Sequence, residues 1–230
     1  MHKTQQPARL RIDIVSDVVC PWCVIGYLQL QLALKRVSDA FHVTIKWQPF
    51  ELNPGMPGEG QLLGEHLARK YGTTAEQSQA ARARLTALGE SLGFHFDYSD
   101  GMRIYNTFKA HQLLHWAGEC ARAPDQQTSL KLALFDAFFR RGENVSETAT
   151  LASVAARAGL PRQEALAILA DGRYAEAVRQ NQAGWLDREV YAVPTFFFNE
   201  RLPVPGAQEA DTFVRVLSRL RDRDRAGAIS

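Results

Sequence analysis

An α/β fold, with a mixed central sheet interrupted by a large all-helical insertion, follows from three features of this 230-residue chain. Strand-like segments flank an amphipathic helical pattern near the start, the stretch from residue 61 to 188 is almost purely helical in pattern, and strand signals return only after it. The first strand is predicted over Leu10–Val15, with Ser16–Val19 as the loop that follows. The helix opening after Cys20 carries Val24, Ile25, Tyr27, Leu28, Leu32, Leu34 and Val37, an apolar surface broad enough to pack on a sheet. In a second strand, His42–Phe50, Val43, Ile45 and Trp47 alternate with Thr44, Lys46 and Gln48. The Pro- and Gly-rich stretch Leu52–Gly60 ends it.

Within the helical stretch, Thr73 with Glu76 has capping-box spacing and opens a helix running to about Ser91. Further helices are predicted over Asn106–Ala121, Gln126–Arg140, Glu147–Ala158, Arg162–Leu169 and Tyr174–Leu186. Gly101, Pro124, Gly142, Gly159, Pro161 and Gly172 mark the loops. Val193–Asn199, with Phe196, Phe197 and Phe198 in succession, is long enough only for a buried strand. Asn199-Glu200-Arg201 turns it into a short edge strand, Leu202–Val204, flanked and broken by Pro203 and Pro205, and an amphipathic helix over Gln208–Leu220 closes the chain. Strand, helix and parallel strand form the opening unit of a thioredoxin-like fold. Residues 1–60 and 189–230 are therefore expected to make one domain around an inserted helical domain, 61–188. Right-handed crossovers give a mixed sheet covered on both faces.

Composition is that of an ordinary globular protein, 46% hydrophobic and 23% charged with a net charge of +2, which points to neither nucleic acid nor membrane as a partner. The arginines between Arg215 and Arg225 alternate with Asp222 and Asp224, as on a solvated helix end. No apolar run approaches the ~20 residues of a membrane span, and the first nine residues lack the apolar stretch of a signal peptide, so the expected location is the cytoplasm.

Chemistry concentrates in Cys20-Pro21-Trp22-Cys23. A two-cysteine motif at a strand-to-helix junction is foremost a redox site. With Cys20 as the cap and Pro21 in the first turn, the proline forfeits only an amide that has no helical partner. Free amides and the helix dipole favour a Cys20 thiolate, so its pKa is expected below the ~8.5 of a free cysteine. Cys20 is then the nucleophile and Cys23, one turn on, the resolving thiol. Pro21 and Trp22, between them, tune the potential and border the substrate. A zinc site would need a second ligand pair, which Cys120 with His66, His95, His111 or His115 could supply only from afar. A structural disulfide would close almost no loop. Cys120 itself reads as a small buried hydrophobe. Trp22, Phe50, Leu52 and Met56 could surround the cysteines with apolar surface or serve as core.

The segments Ser16-Asp17-Val18-Val19-Cys20-Pro21-Trp22-Cys23, Phe50-Glu51-Leu52-Asn53-Pro54 and Val193-Pro194-Thr195 resemble those of DsbA-like thioredoxin-fold oxidoreductases, in particular the FrnE-like branch, over roughly residues 10–220. The resemblance implies a cis Pro194 beside the cysteines, with the Val193 backbone facing an extended substrate. It also implies that Asn106-Thr107 and Ala110-His111 begin an inserted helix facing the redox centre, with Asn106 near the substrate and His111 binding substrate or shuttling a proton. Ala192 stands where relatives often carry Gly, and Glu189 where a small turn residue is expected. The implied activity is thiol-disulfide exchange on protein or small-molecule disulfides with a thiol reductant. No bound cofactor is implied, glutathione being the candidate thiol donor. A reducing compartment favours reduction or isomerisation, an oxidising one oxidation. Two alternatives share the fold or ignore the thiols. One is a glutathione-dependent isomerase or transferase resembling 2-hydroxychromene-2-carboxylate isomerases and kappa-class transferases, which place Ser at the Cys20 position. The other is a noncatalytic partner-binding module.

Overall fold

The computed structural model describes residues 7–120 and 125–227, with side chains to residue 223; the predicted turn at Pro124 and helix end at Ala121 lie outside the described residues. β1 (Ala8–Ser16), α1 (Pro21–Arg36) and β2 (Phe41–Pro49) form the opening unit, and β1 and β2 are parallel, Ile12 beside Ile45 and Ile14 beside Trp47. β5 (Thr195–Phe198) and β6 (Leu202–Pro205) complete a mixed sheet of order β2-β1-β5-β6, each antiparallel to its neighbour. The run of phenylalanines splits by strand alternation. Phe196 and Phe198 meet Phe213 of the last helix, α9 (Ala210–Gly227), which packs with α1. Phe197 points to the opposite face, against Trp185.

Between β2 and β5 lie α2 (Leu63–Tyr71), α3 (Ala75–Ser91), α4 (Phe108–Cys120), α5 (Gln126–Phe139), α6 (Thr148–Arg157), α7 (Arg162–Asp171) and α8 (Ala175–Asp187). Three features depart from expectation. A two-stranded antiparallel sheet, β3 (Gln61–Leu62) with β4 (Arg103–Ile104), and the helix α2 occur where neither was predicted. The capping box is Thr74 with Gln77, one residue beyond the predicted pair: Gln77 N–H donates to the Thr74 hydroxyl and the Thr74 N–H to the Gln77 side chain. The sheet is not covered on both faces along its length. Val15, Phe197, Trp185 and Val190 cluster on its second face near the cysteine end, roofed by the Arg188 guanidinium over Trp185 and Phe197. Farther along, Arg9, His42, Thr44 and Lys46 stay exposed, because alternation in β1 and β2 puts charged and polar side chains on that face.

The insertion is fastened to the open edge of β2 by side chains. Gln127 accepts from the Trp47 backbone N–H at 2.8 Å and donates to its carbonyl at 3.0 Å, reproducing the pairing of a neighbouring strand. The Trp47 indole donates to the Thr128 hydroxyl at 3.0 Å, and its ring sits between Tyr27 of α1 and Phe135 of α5.

Candidate active site

Cys20 is the N-cap of α1, in extended conformation, and Pro21 takes the first turn, as its missing amide requires. Both cysteines are free thiols, Cys20 3% exposed and Cys23 fully buried, and the Cys23 N–H donates to the Cys20 carbonyl at 3.1 Å. The Cys20 thiol also donates to the Val193 carbonyl at 3.7 Å. The Val193–Pro194 bond is cis, and the Pro194 carbonyl accepts from Gly206 N–H at 2.8 Å, so this loop lies against the outer sulfur. Gly26 makes the close fit possible: a Cβ there would lie 3.0 Å from the Phe196 ring and 3.1 Å from Pro194. Glu189, at the head of the same loop, has φ +60°, the left-handed conformation that favours a small residue.

Acidity in the pair is distributed differently from the sequence expectation. Cys20 is raised, not lowered: its bond to Cys23, then burial, then the Cys23 and Asp17 charges oppose a second thiolate beside the first. Burial works to raise Cys23 as well, but the bond from Cys20, the charge of Lys131, the Ser16 hydroxyl and the Asp17 backbone together bring it down. Two thiols this close titrate as a pair, the first ionisation opposing the second. Helix-end stabilisation of the outer sulfur alone does not describe a thiol so thoroughly removed from water.

Beneath the sulfurs lies a buried charge network that spans three parts of the chain. Asp17, in the β1–α1 turn, accepts from Val18 N–H at 2.7 Å and Leu52 N–H at 2.8 Å, and its carboxylate is 3.3 Å from His111 Nε2 of α4. Burial would raise its pKa, yet the His111 bond and charge, the Leu52 N–H and Lys131 bring it below the ordinary carboxylate range. Burial pushes Glu51, on the adjoining loop, up; Gln182 donates to it at 3.2 Å. Lys131 of α5 is fully buried. Its Nζ has no hydrogen-bond partner and lies 5.0 Å from the Phe135 ring and 5.2 Å from that of Trp47.

The residues singled out in the sequence divide into two groups. Cys20, Cys23, Val193 and Pro194 come together, and Trp22, in the first turn of α1 between the two cysteines, is 49% exposed. His111 is 1% exposed and is the partner of Asp17. Asn106 accepts from Phe108 N–H at 2.9 Å and donates to the Pro54 carbonyl at 3.3 Å, tying the start of α4 to the loop after β2. Met56 belongs to the main core, against which Leu52 packs, Phe50 packs against the Val15 and Phe197 cluster, and Cys120 is half-buried. Lys131 and Tyr191, the latter 71% exposed two residues before Val193, went unrecognised in the sequence. Lys131 could have been found: on α5 it shares a face with Leu134, Phe135 and Phe138, where a charged side chain is out of place. Among the described residues no group of three or more His, Cys, Asp or Glu is placed to hold a metal ion.

Comparison with known proteins places these features in context. A family profile described as the DSBA-like thioredoxin domain matches residues 11–218. A probable DsbA oxidoreductase from Streptomyces coelicolor has a solved structure similar to this one, with a TM-score of 0.83 and 31% identity, over 91% of this chain and 89% of that one. The uncharacterized protein YwbO of Bacillus subtilis is 25% identical over 210 residues, covering 91% of this chain and 96% of the relative. The fold is also that of a 2-hydroxychromene-2-carboxylate isomerase, at a TM-score of 0.66 and 16% identity over 96% of this chain and 100% of that one.

Proposed function

The chain belongs to the family of DSBA-like thioredoxin domains, and from that premise we propose that it is a thiol-disulfide oxidoreductase working through a Cys20/Cys23 dithiol-disulfide cycle. The observation that carries the reading is the pair itself: two free thiols one turn apart at the N-terminus of α1, Cys20 3% exposed and Cys23 fully buried. Ionisation of Cys20, its proton passing to solvent, puts the thiolate on the outer sulfur. That thiolate attacks a partner disulfide, forming a mixed disulfide and expelling one partner thiolate. Cys23 then loses its proton and attacks the Cys20 sulfur; the enzyme disulfide forms and the second partner thiolate leaves. Run backwards, the same steps oxidise a dithiol. The Val193–Pro194 loop and Trp22 flank the attacking sulfur and are the residues we assign to holding the partner.

The partner is a protein or small-molecule disulfide, and the three ordered motifs support placement in the FrnE-like branch. In a reducing cytoplasm, with glutathione as thiol donor, the pair rests as the dithiol and the net direction is reduction or isomerisation. Titration in glutathione buffers, read by mass after thiol alkylation, tests the proposal. A single two-electron transition that disappears in Cys20→Ser is the expected outcome. A pair that never closes would overturn the cycle and put the glutathione-dependent isomerase reading in its place.

A further inference from the structure

The uncovered stretch of the sheet carries a row of cations that the cysteine chemistry does not use. Strand alternation and parallel register set Arg9 beside His42 and Arg11 beside Thr44 on this face, with Lys46 two positions farther along β2. The neighbouring acids are spent on one of them: Arg11 binds the fully buried Asp13 at 2.8 Å and Glu200 at 2.5 Å. Arg9 and Lys46 are exposed and, among the described residues, have no ion pair. A depression of about 450 Å³ in this face is lined by Arg9, Arg11, His42, Thr44, Lys46 and Asn199, with no carboxylate among them. It shares Arg11, Thr44 and Lys46 with a second, of about 420 Å³, that continues past Ile45 and Trp47 to Gln127 and Asn181, so the two make one groove along β2. The groove borders a strand edge. β2 is the outermost strand of its sheet, and the Gln127 amide stands in for a neighbouring strand at Trp47. Backbone direction repeats every two residues, so the N–H and carbonyl groups of Ile45 and Val43 face the same way as those of Trp47. Among the described residues nothing pairs with them there.

We propose that the β2 edge is a docking site for an extended acidic polypeptide segment of a partner protein, which adds to the sheet as a further strand. Its backbone pairs with Val43 and Ile45, where the edge is open, and stops at Gln127. Alternate side chains of the added strand then fall on the cationic face at a repeat of about 6.7 Å, roughly 4.8 Å from His42, Thr44 and Lys46. Arg9 and Arg11 are long enough to reach them from the next strand. Acidic residues at those positions meet the two cations that lack a partner, so the main chain supplies affinity and the alternating charges supply selectivity. Single-stranded nucleic acid fits the face less well, because no Phe, Tyr or Trp lines the cationic depression for a base to stack on. The chain's own first six residues contain no acid and lack the charge this face calls for. No cysteine takes part in this docking, which stands apart from the oxidoreductase reading.

Fluorescence anisotropy of a short labelled peptide in which glutamate alternates with threonine, titrated with the full chain, is the first test. Binding is expected to weaken as salt is raised and to fall about tenfold or more in Lys46→Glu and in Arg9→Glu. Backbone pairing is read separately, with two versions of the peptide, one N-methylated on its glutamates and one on its threonines. All residues of one set turn their N–H groups toward β2, so one version loses binding about tenfold or more and the other keeps it. Hydrogen exchange at Ile45 and Val43 is expected to slow when the unmodified peptide is bound. Should a charge reversal disturb the fold, wild type alone decides through the methylated peptides and the exchange. No binding at low salt overturns the proposal, as does equal binding of a peptide with lysine in place of glutamate. Two methylated versions that both bind like the parent, with exchange at Ile45 and Val43 unchanged, refute strand addition. Equal binding of an oligodeoxythymidylate refutes the selectivity for polypeptide and leaves a patch for polyanions at large.

Discussion

Asp17 keeps its negative charge without contact with water because two backbone N–H groups and the His111 ring converge on it. Asp17→Asn exchanges a charged acceptor for a neutral one and is expected to cost about 3 kcal/mol at neutral pH, as for other broken buried pairs. The sign with pH follows from the lowered folded-state pKa. The Asp17 contribution is fully present above the ~3.9 of an unfolded aspartate and is lost as pH falls through the lower folded value. Urea midpoints of wild type and variant should therefore lie apart at neutral pH and converge in acid; a constant gap down to about pH 2 would show that charge is not what matters. The Cys20 and Cys23 pair was plain in the sequence, since spacing and an intervening proline define it. Asp17 was visible only as part of a motif, and its function depends on Leu52 and His111, which local reading does not bring near.

At the scale of elements, side chains take over work normally left to backbone. Gln127 closes the edge of β2 at Trp47 and donates to the Leu114 carbonyl as well, so one amide joins β2, α4 and α5. Gln127→Leu would leave the Trp47 N–H and carbonyl unpaired inside the protein, at a cost of about 2–3 kcal/mol. Thermal unfolding reads that loss, and a change in hydrogen exchange concentrated at Trp47 would locate it; an unchanged midpoint would show that water replaces the amide. Hydrophobic periodicity was sufficient for β1, α1, β2 and the long helices of the insertion. It could not find β3 and β4, because two-residue strands have no period, and it placed the capping box one residue early because Thr73-Thr74 offers two candidates. Only the backbone geometry of the turn selects Thr74.

Sheet and insertion share one continuous core across the whole molecule. Ile12, Ile14 and Trp47 belong to the same cluster as Trp116, Phe135 and Leu151. His111 of α4 extends that union to Asp17, in the turn that leads into the cysteines. The chain is therefore expected to unfold as one cooperative unit, with tryptophan fluorescence and far-ultraviolet dichroism giving coincident urea transitions; two separated transitions would mean that the insertion folds on its own. The order of the longer elements, the mixed sheet and the position of the cysteine pair followed from the sequence alone, because alternation, helical period and a Cys-x-x-Cys at a helix start are local properties of the chain. Which buried groups surround that pair and which sheet face stays in water were decided only by tertiary structure. Those depend on desolvation and on Coulomb interactions between residues more than a hundred positions apart, such as Cys23 and Lys131, whose approach no local pattern encodes.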